Sequence, residues 1–323
     1  MDLWRDILLL FDATLRLSTP LIFCAMAGLI SERAGVIDIG LEGKLLASAF
    51  AAAAVAALTG SVLAGLGAAL LTSMALALVH AFATVTHRGE QIISGVAINI
   101  LASGLTIVVG IALFQQGGQT PTLGPGERFG PIVLPLAGTL GGVPLLGPLY
   151  AELISGHSAP VYVALLTVPL VAWVVNRTTF GLRLRAVGEM PASVDSAGLS
   201  VTGLRYGAVL IAGLLCGLAG TYLSAAHGAG FVREMSAGKG YIALAAMIFG
   251  NWRPWRVLFA CLLFGFLEAG AARLQGVELP LIGQAPVELI LILPYLATVV
   301  VLAGFIGRAT PPRAIGQPYV KER

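Results

Sequence analysis

Long apolar runs separated by short polar loops make up most of the chain. Nine of them are predicted to be membrane segments, near residues 7–30, 41–59, 61–84, 90–114, 159–176, 204–224, 236–250, 255–272 and 287–306. Most hold about 17–25 residues, enough for an α-helix to cross a hydrocarbon core roughly 30 Å thick. Hydrophobic residues form 57% of the sequence and charged residues 11%, against roughly 25% charged in soluble domains. We therefore expect an all-α integral membrane protein, with residues 1–323 forming one polytopic domain.

Two segments interrupt this pattern with charges and glycines close to the membrane. The first, 31–44, holds five charged residues and three glycines. The second has glycines at 230, 238 and 240 before an apolar run of about ten residues, which as a helix rises about 15 Å and crosses half a bilayer. Irregular backbone at membrane depth is tolerated where protein or water covers it, and such elements line pathways in transporters. Both segments are predicted to be broken or re-entrant elements.

The distribution of Lys and Arg predicts the orientation. With the N-terminus outside and the C-terminus in the cytoplasm, most of the 19 Lys and Arg residues fall on the inner side, as the positive-inside tendency requires. The poorly charged loop 115–158 is then extracytoplasmic, and the basic loop 177–203 is cytoplasmic. The net charge of +3 fits loops that face anionic lipid better than it fits binding to nucleic acid.

The residue types that catalysis needs do not form a recognisable motif. Gly43-Lys44 lacks the rest of a phosphate-binding loop, because Asp38 and Leu45 stand where Gly and Ser or Thr are required. The four histidines have no metal-binding spacing, and the three cysteines lie inside apolar runs, as small buried hydrophobes do. We expect no enzymatic activity, no metal site and no cofactor bound by this chain, so that a partner must supply the energy for transport.

The loop 177–203 is the most polar interruption of the chain. Pro191 is a residue typical of a helix start and Gly198 of a helix end, so a short helix is predicted between them. A membrane protein that holds a short capped helix outside the bilayer generally uses it to contact a partner. An ordinary surface loop with basic residues is the alternative.

Four segments in the same order, 19–43, 90–99, 180–189 and 238–251, carry a family resemblance. Together they resemble the permease family of bacterial ABC importers for simple sugars and nucleosides, the ribose-permease-like group. The resemblance covers about residues 14–306. Within the family, the chain looks most similar to the short permease of nucleoside importers that use basic-membrane-protein-type lipoproteins.

The resemblance implies an ABC importer permease fold in the bacterial plasma membrane and a defined set of partners. These are an ATP-binding subunit that holds the ATP, a second permease that is typically a longer homologue, and an extracytoplasmic substrate-binding lipoprotein. It also implies that loop 177–203 carries a coupling helix seated on the ATP-binding subunit. The residues carried over to that role are Arg183, Arg185, Gly188, Glu189, Pro191, Ala197 and Gly198. Met190 departs from the Asn that is frequent in the family after this Glu.

The expected substrate is a nucleoside. A simple sugar such as ribose is the alternative within the family, and an ion-coupled secondary transporter is the alternative from another class. The secondary transporter is disfavoured because few carboxylates lie in the membrane segments to carry protons or sodium.

Polar residues inside the spans are candidates for the translocation path. Asn99 lies in the middle of the fourth segment, with Ser94 and Ser103 near it along the helix. Polar groups in lipid face protein or a water-filled path, and interhelical hydrogen bonding is the alternative role. A single ion-pair network at the inner mouth is also expected, formed by Glu32, Arg33, Asp38, Glu42 and Lys44.

Four more charged residues are assigned to the outer side. Glu268 is expected to pair with Arg273. Arg233 and Lys239 are candidates to receive acidic residues of a docking binding protein, with solvated loop charges as the alternative.

Overall fold

The computed structural model describes residues 2–135, 146–274, 278–279, 283–284, 292, 296 and 309–321. Ten α-helices of six or more residues lie in this part of the chain: α1 Asp2–Arg33, α2 Leu41–Thr59, α3 Val62–Ala81, α4 Gln91–Phe114, α5 Ala159–Arg177, α6 Thr179–Glu189, α7 Pro191–Ser196, α8 Val201–Tyr222, α9 Lys239–Phe249 and α10 Pro254–Leu274. There are also a helical turn at Leu146–Pro148 and π-helical turns at Phe82–Thr86, Leu149–Ile154 and Leu223–His227. A two-residue antiparallel pair joins β1 Glu278–Leu279 to β2 Gly283–Gln284.

Seven helices in the described residues are long and apolar enough to cross a membrane. They are Trp4–Arg33, Leu41–Thr59, Val62–Thr86, Gln91–Phe114, Ala159–Arg177, Val201–His227 and Pro254–Leu274. The all-α membrane fold is therefore confirmed, but the count of nine segments is not. The segment predicted at 236–250 contains only the 11-residue helix α9, and the segment predicted at 287–306 lies almost entirely outside the described residues.

The burial of the spans separates central helices from peripheral ones. The most apolar windows of α2 and α8 are 72% and 78% buried, whereas those of α3 and α4 are each 22% buried. In α8, Gly213 and Gly217 face α3, where an added Cβ would lie 2.6 Å from the Ala77 side chain and 2.9 Å from the Leu70 backbone. This close approach is the use of small residues that lipid-embedded helices favour.

Side-chain caps fix where several helices begin. The Glu90 carboxylate accepts the Ile93 N–H at 2.6 Å at the start of α4, and Ser200 accepts the Gly203 N–H at 3.0 Å at the start of α8. Such caps satisfy backbone donors that have no partner within the helix. Because α5 joins the loop around residue 157 to α6, these two regions lie at opposite ends of the helix bundle.

Candidate translocation path and coupling surface

The connection between α1 and α2 is folded into the protein rather than exposed on its surface. Asp38 and Lys44 form an ion pair in which both side chains are 0% exposed. The His80 ring of α3 donates from Nε2 to the Ile37 carbonyl oxygen at 3.0 Å, and its Nδ1 lies 3.0 Å from Ser94 Oγ of α4. Burial alone would raise the pKa of the Asp38 carboxyl, but the Lys44 ammonium and the His80 ring outweigh it and hold that pKa below its ordinary value. The connection between α1 and α2, which was predicted to be re-entrant, therefore contacts α2 through Lys44 and α3 through His80, and His80 links it to α4.

The five charged residues expected to form one network at the inner mouth lie in three separate contacts. Asp38 pairs with Lys44. Glu32 accepts the indole N–H of Trp252 at 2.7 Å, and Arg33 donates to the Trp252 carbonyl oxygen at 2.8 Å. The Glu42 carboxylate is turned toward α9. The expectation of a single network is thus corrected. The three contacts lie apart because the chain turns between residues 33 and 42. Any role of these residues in gating stays a prediction.

Glu42 caps the short helix α9 from within the protein. Its two carboxylate oxygens accept the N–H groups of Gly238 at 2.9 Å and Gly240 at 2.6 Å, while the residue is only 8% exposed. An added Cβ at Gly240 would lie 2.6 Å from the backbone of Glu42, so the glycine is needed for the approach. A carboxylate at a helix N-terminus also complements the helix dipole. The predicted broken element that contains α9 therefore begins in contact with the predicted broken element at residues 31–44.

Asn99 joins three helices through three hydrogen bonds of its side-chain amide. Its Oδ1 accepts the Gly43 N–H at 2.7 Å, and its Nδ2 donates to the Ile39 carbonyl oxygen at 3.1 Å and to the Tyr241 hydroxyl at 2.8 Å. α4 is thereby tied to the start of α2 and to α9. Among the three residues predicted for the path, Asn99 and Ser103 share this side of α4, while Ser94 is turned toward His80.

Ser103 contacts a carboxylate that the sequence analysis did not single out. Its hydroxyl donates to Glu234 Oε1 at 2.5 Å. Glu234 lies in the segment before α9 and has a φ of 55°, and Ala237 in the same segment has a φ of 46°. Both values lie in the left-handed region, which disfavours residues with a Cβ. Asn99, Ser103, Glu234 and Tyr241 together form a set that we call the central polar patch.

Of the four charged residues assigned to the outer side, Glu268 and Arg273 do not form the expected pair. Glu268 pairs with Lys239 at 2.6 Å rather than with Arg273, and Arg273 donates instead to the Asp6 carbonyl oxygen at 2.7 Å. The pair lies between α9 and α10, where helix packing brings together residues 29 positions apart. Lys239 is therefore engaged within the protein, whereas Arg233 remains exposed.

The residues predicted for coupling lie on α6, on α7 and in the turn that follows. Arg183, Glu189, Ala197 and Gly198 are exposed, Arg185 and Pro191 are half-buried, and Gly188 is buried. Gly198 has a φ of 78°, which only glycine adopts readily. Val187, Val194 and Val201 form a small apolar cluster beneath the surface. The structure thus holds a compact feature here, which we call the coupling surface (residues 183–198), and its role in coupling stays a prediction.

Gly188 connects the coupling surface to the end of α1. An added Cβ would lie 2.2 Å from the Arg33 carbonyl oxygen, so α6 and α1 touch through backbone. Arg33 in turn binds the loop before α10 through the Trp252 carbonyl oxygen. A displacement of α6 is therefore transmitted directly to α1 because packed backbones are not compressible.

Residues 309–321 reinforce the same region, and the sequence analysis missed them because they lack a hydrophobic period. The Ala314 N–H donates to the Gly188 carbonyl oxygen at 2.8 Å, and the Gly316 N–H donates to the Gly35 carbonyl oxygen at 3.1 Å. Lys321 pairs with Asp195 of α7 at 3.3 Å. This segment thus links the coupling surface to the buried connection between α1 and α2.

A pocket of about 750 Å³ opens at the opposite end of the bundle. Its lining includes Arg16, Arg128, His157, Tyr222 and His227. The segment 120–129 forms one wall, where its backbone pairs with residues 225–231. Within the described part of the chain, no group of three or more His, Cys, Asp or Glu is arranged to hold a metal ion.

The residues that the structure describes thus form seven helices long enough to cross a membrane, a short helix capped by the buried Glu42 and a compact surface joined to α1. Residues 10–305 match the family described as branched-chain amino acid transport system / permease component. The chain belongs to this family and is a permease subunit of an ABC transporter, not an enzyme. A permease of this class works with an ATP-binding subunit and a second permease. It is a multi-pass membrane protein.

Three relatives that match this chain over nearly its full length are also named as permeases. The chain is 38% identical over 333 residues to guanosine ABC transporter permease protein NupQ of Bacillus subtilis, covering 99% of each chain. It is 36% identical over 313 residues to nucleoside ABC transporter permease protein NupC of Lactococcus lactis, covering 95% of each. It is also 36% identical over 333 residues to TsgC13 of Haloferax volcanii, provisionally named a glucose ABC transporter permease, covering 97% of this chain and 98% of that one. No solved structure is a significant match.

Proposed function

We propose that this chain is one of two permeases of an importer that moves nucleosides across the bacterial plasma membrane. A substrate-binding lipoprotein delivers the nucleoside on the outer side, and ATP is bound and hydrolysed by a partner subunit, with no cofactor on this chain. The observation that carries the proposal is its near full-length identity of 38% and 36% to two permeases named for guanosine and nucleosides.

The proposed orientation places the N-terminus outside and the coupling surface in the cytoplasm. The excess of Lys and Arg on that side supports it. ATP-driven movement of the partner would then push α6 and α7, and through Gly188 the end of α1. α1, α2 and α4 lie around the connection that carries Asp38, so that a shift there reaches Asn99 and the start of α9. Alternating access is the expected result.

A simple sugar is the second candidate substrate, and the similarity to TsgC13 favours it. Nucleosides and sugars share a hydroxylated ring, so a path that accepts one can accept features of the other. A nucleoside carries a base in place of the anomeric hydroxyl of a free sugar, and it is this base that separates the two candidates.

Uptake in cells with and without the gene tests the proposal. Labelled guanosine, uridine, ribose and glucose are supplied in parallel, and arsenate-treated cells provide the ATP-depleted control. We expect loss of nucleoside uptake on deletion and on ATP depletion. Loss of sugar uptake alone would replace the nucleoside by the sugar, and uptake that survives ATP depletion would contradict the mechanism.

A further inference from the structure

Glu234 is a carboxylate at the middle of the membrane. Its partner Ser103 lies in α4, which spans Gln91–Phe114. At a rise of 1.5 Å per residue, Ser103 lies about 18 Å from the first residue of α4 and about 17 Å from the last. Because the Ser103 hydroxyl and Glu234 Oε1 are 2.5 Å apart, the carboxylate has the same depth. A charge at this depth does not face lipid, but protein or a water-filled path.

The neighbouring acidic residues use both carboxylate oxygens or pair with a cation, whereas Glu234 accepts, among the described residues, from one neutral hydroxyl, that of Ser103. Glu42 accepts two backbone N–H groups of the α9 start, and Glu268 pairs with Lys239. Among the residues that the structure describes, Glu234 has no ion pair, and the side chain is exposed. One carboxylate oxygen is therefore free to accept hydrogen bonds from a molecule in the path.

The backbone around Glu234 is strained in a way that fixes its position. Both Glu234 and Ala237 have a positive φ, although neither is glycine, and such residues persist only when their surroundings hold them. Strain of this kind is common at binding and switch sites. The segment is held at its far end by the Glu42 cap on α9, so that the carboxylate is held beside Ser103 of α4.

The chemistry of the central polar patch favours a ligand with adjacent hydroxyl groups. The patch offers the Glu234 carboxylate as a strong acceptor, together with the hydroxyls of Ser103 and Tyr241 and the amide of Asn99. A single carboxylate supplies too few oxygen ligands for a calcium site, which needs 6–8. The second oxygen and the remaining lone pair of Oε1, which already accepts from Ser103, can take two neighbouring O–H donors, and hydrogen bonds to a charged acceptor are about twice as strong as neutral ones.

We propose that Glu234 accepts hydrogen bonds from the adjacent sugar hydroxyls of the substrate as it passes the central polar patch. The inference rests on the proposed function and adds the part of the substrate that this chain contacts. The contact is brief, because a permease that held its substrate tightly would not release it. It makes the 2′- and 3′-hydroxyls of a nucleoside determinants of the transport rate.

Transport by the complete importer in proteoliposomes tests this inference. Initial uptake rates are measured for guanosine, 2′-deoxyguanosine and 2′,3′-dideoxyguanosine, with the wild-type chain and with Glu234→Gln. Because the binding lipoprotein is the same in both, its own preference cancels when the two permeases are compared. We expect Glu234→Gln to reduce the preference for guanosine over the dideoxy compound by about tenfold, since the charge of the acceptor is removed.

Two further variants separate substrate contact from a structural role. Ser103→Ala removes one hydroxyl of the patch but keeps the charge of Glu234, so the preference for guanosine over the dideoxy compound should stay larger than in Glu234→Gln. Asp6→Asn removes an exposed acidic group near the start of α1 and should change nothing. Equal slowing of all three compounds by Glu234→Gln would overturn the inference, as would loss of the preference in Ser103→Ala.

The remaining outcomes are also decisive. If Glu234→Gln does not assemble, Glu234→Asp keeps the charge and shortens the reach by one methylene, and it should slow guanosine more than the dideoxy compound. Equal slowing by Glu234→Asp would refute the contact. If the wild-type importer takes up none of the three compounds, the proposed function fails, and the inference fails with it.

Discussion

Replacing Glu42 with glutamine tests whether a buried carboxylate holds the start of α9. The wild-type group accepts two N–H donors, at 2.9 and 2.6 Å, in an environment that leaves it 8% exposed. Glutamine retains one acceptor oxygen and turns an NH₂ group toward the other donor. One charge-assisted bond worth roughly 1.5–3 kcal/mol is lost and the other is weakened, so we expect a destabilisation of about 3 kcal/mol.

Glu90→Gln is the matched control, because Glu90 also caps a helix but is exposed and accepts one N–H. Its expected cost is about 1 kcal/mol. The assay is thermal unfolding of the purified protein followed with a thiol-reactive dye, since Cys24, Cys216 and Cys261 are free and buried in the folded protein. Midpoints lowered equally by the two variants would refute the proposed role of Glu42 as a buried cap.

Three further substitutions have defined outcomes. Gly188→Ala should abolish substrate-stimulated ATPase activity of the assembled complex while membrane insertion survives, because its Cβ would lie 2.2 Å from a carbonyl oxygen of α1. The control Gly207→Ala, whose Cβ would have no atom nearer than 4.0 Å, should leave the ATPase activity intact. Equal activity in both variants would contradict the coupling role. Asn99→Leu should lower uptake at least tenfold without loss of assembly. Asn176→Leu, which loses only a hydrogen bond within its own helix, should leave uptake unchanged. Normal uptake by Asn99→Leu would show that the role of Asn99 is purely structural. Asp38→Asn should lower the unfolding midpoint at pH 7, where a carboxyl with a depressed pKa contributes its full stability. The difference in midpoint from wild type should shrink as the pH falls below about 4. A difference that does not depend on pH would show that the charge is not the cause.

The spans could be predicted from the sequence because each one is a long apolar run with its own boundaries. The broken elements were also predictable, since glycines and charges beside a run of about ten residues do not fit a continuous span. Asn99 could be found for the same reason: it is a polar residue in an apolar helix. In each case the information is local.

The partners of these residues could not be predicted, because they depend on how distant helices pack. Glu268 is near Arg273 in the sequence but pairs with Lys239, 29 residues away. Glu234 was overlooked because it resembles an ordinary loop charge until its depth beside Ser103 is known. The five charges of residues 32–44 look like one network in the sequence, yet Trp252 binds two of them, Glu32 and Arg33, and Gly240 binds a third, Glu42.

The position of residues 309–321 in the chain has a consequence for biosynthesis. This segment follows the seven candidate spans of the described part of the chain, so it leaves the ribosome after them, because domains and segments are made from the N-terminal side onward. Its bonds to Gly188 and Gly35 and its ion pair with Asp195 can form only then. The face proposed to contact the ATP-binding subunit is therefore completed after membrane insertion of the helices, and an interrupted translation product lacks a finished face on which that subunit could assemble.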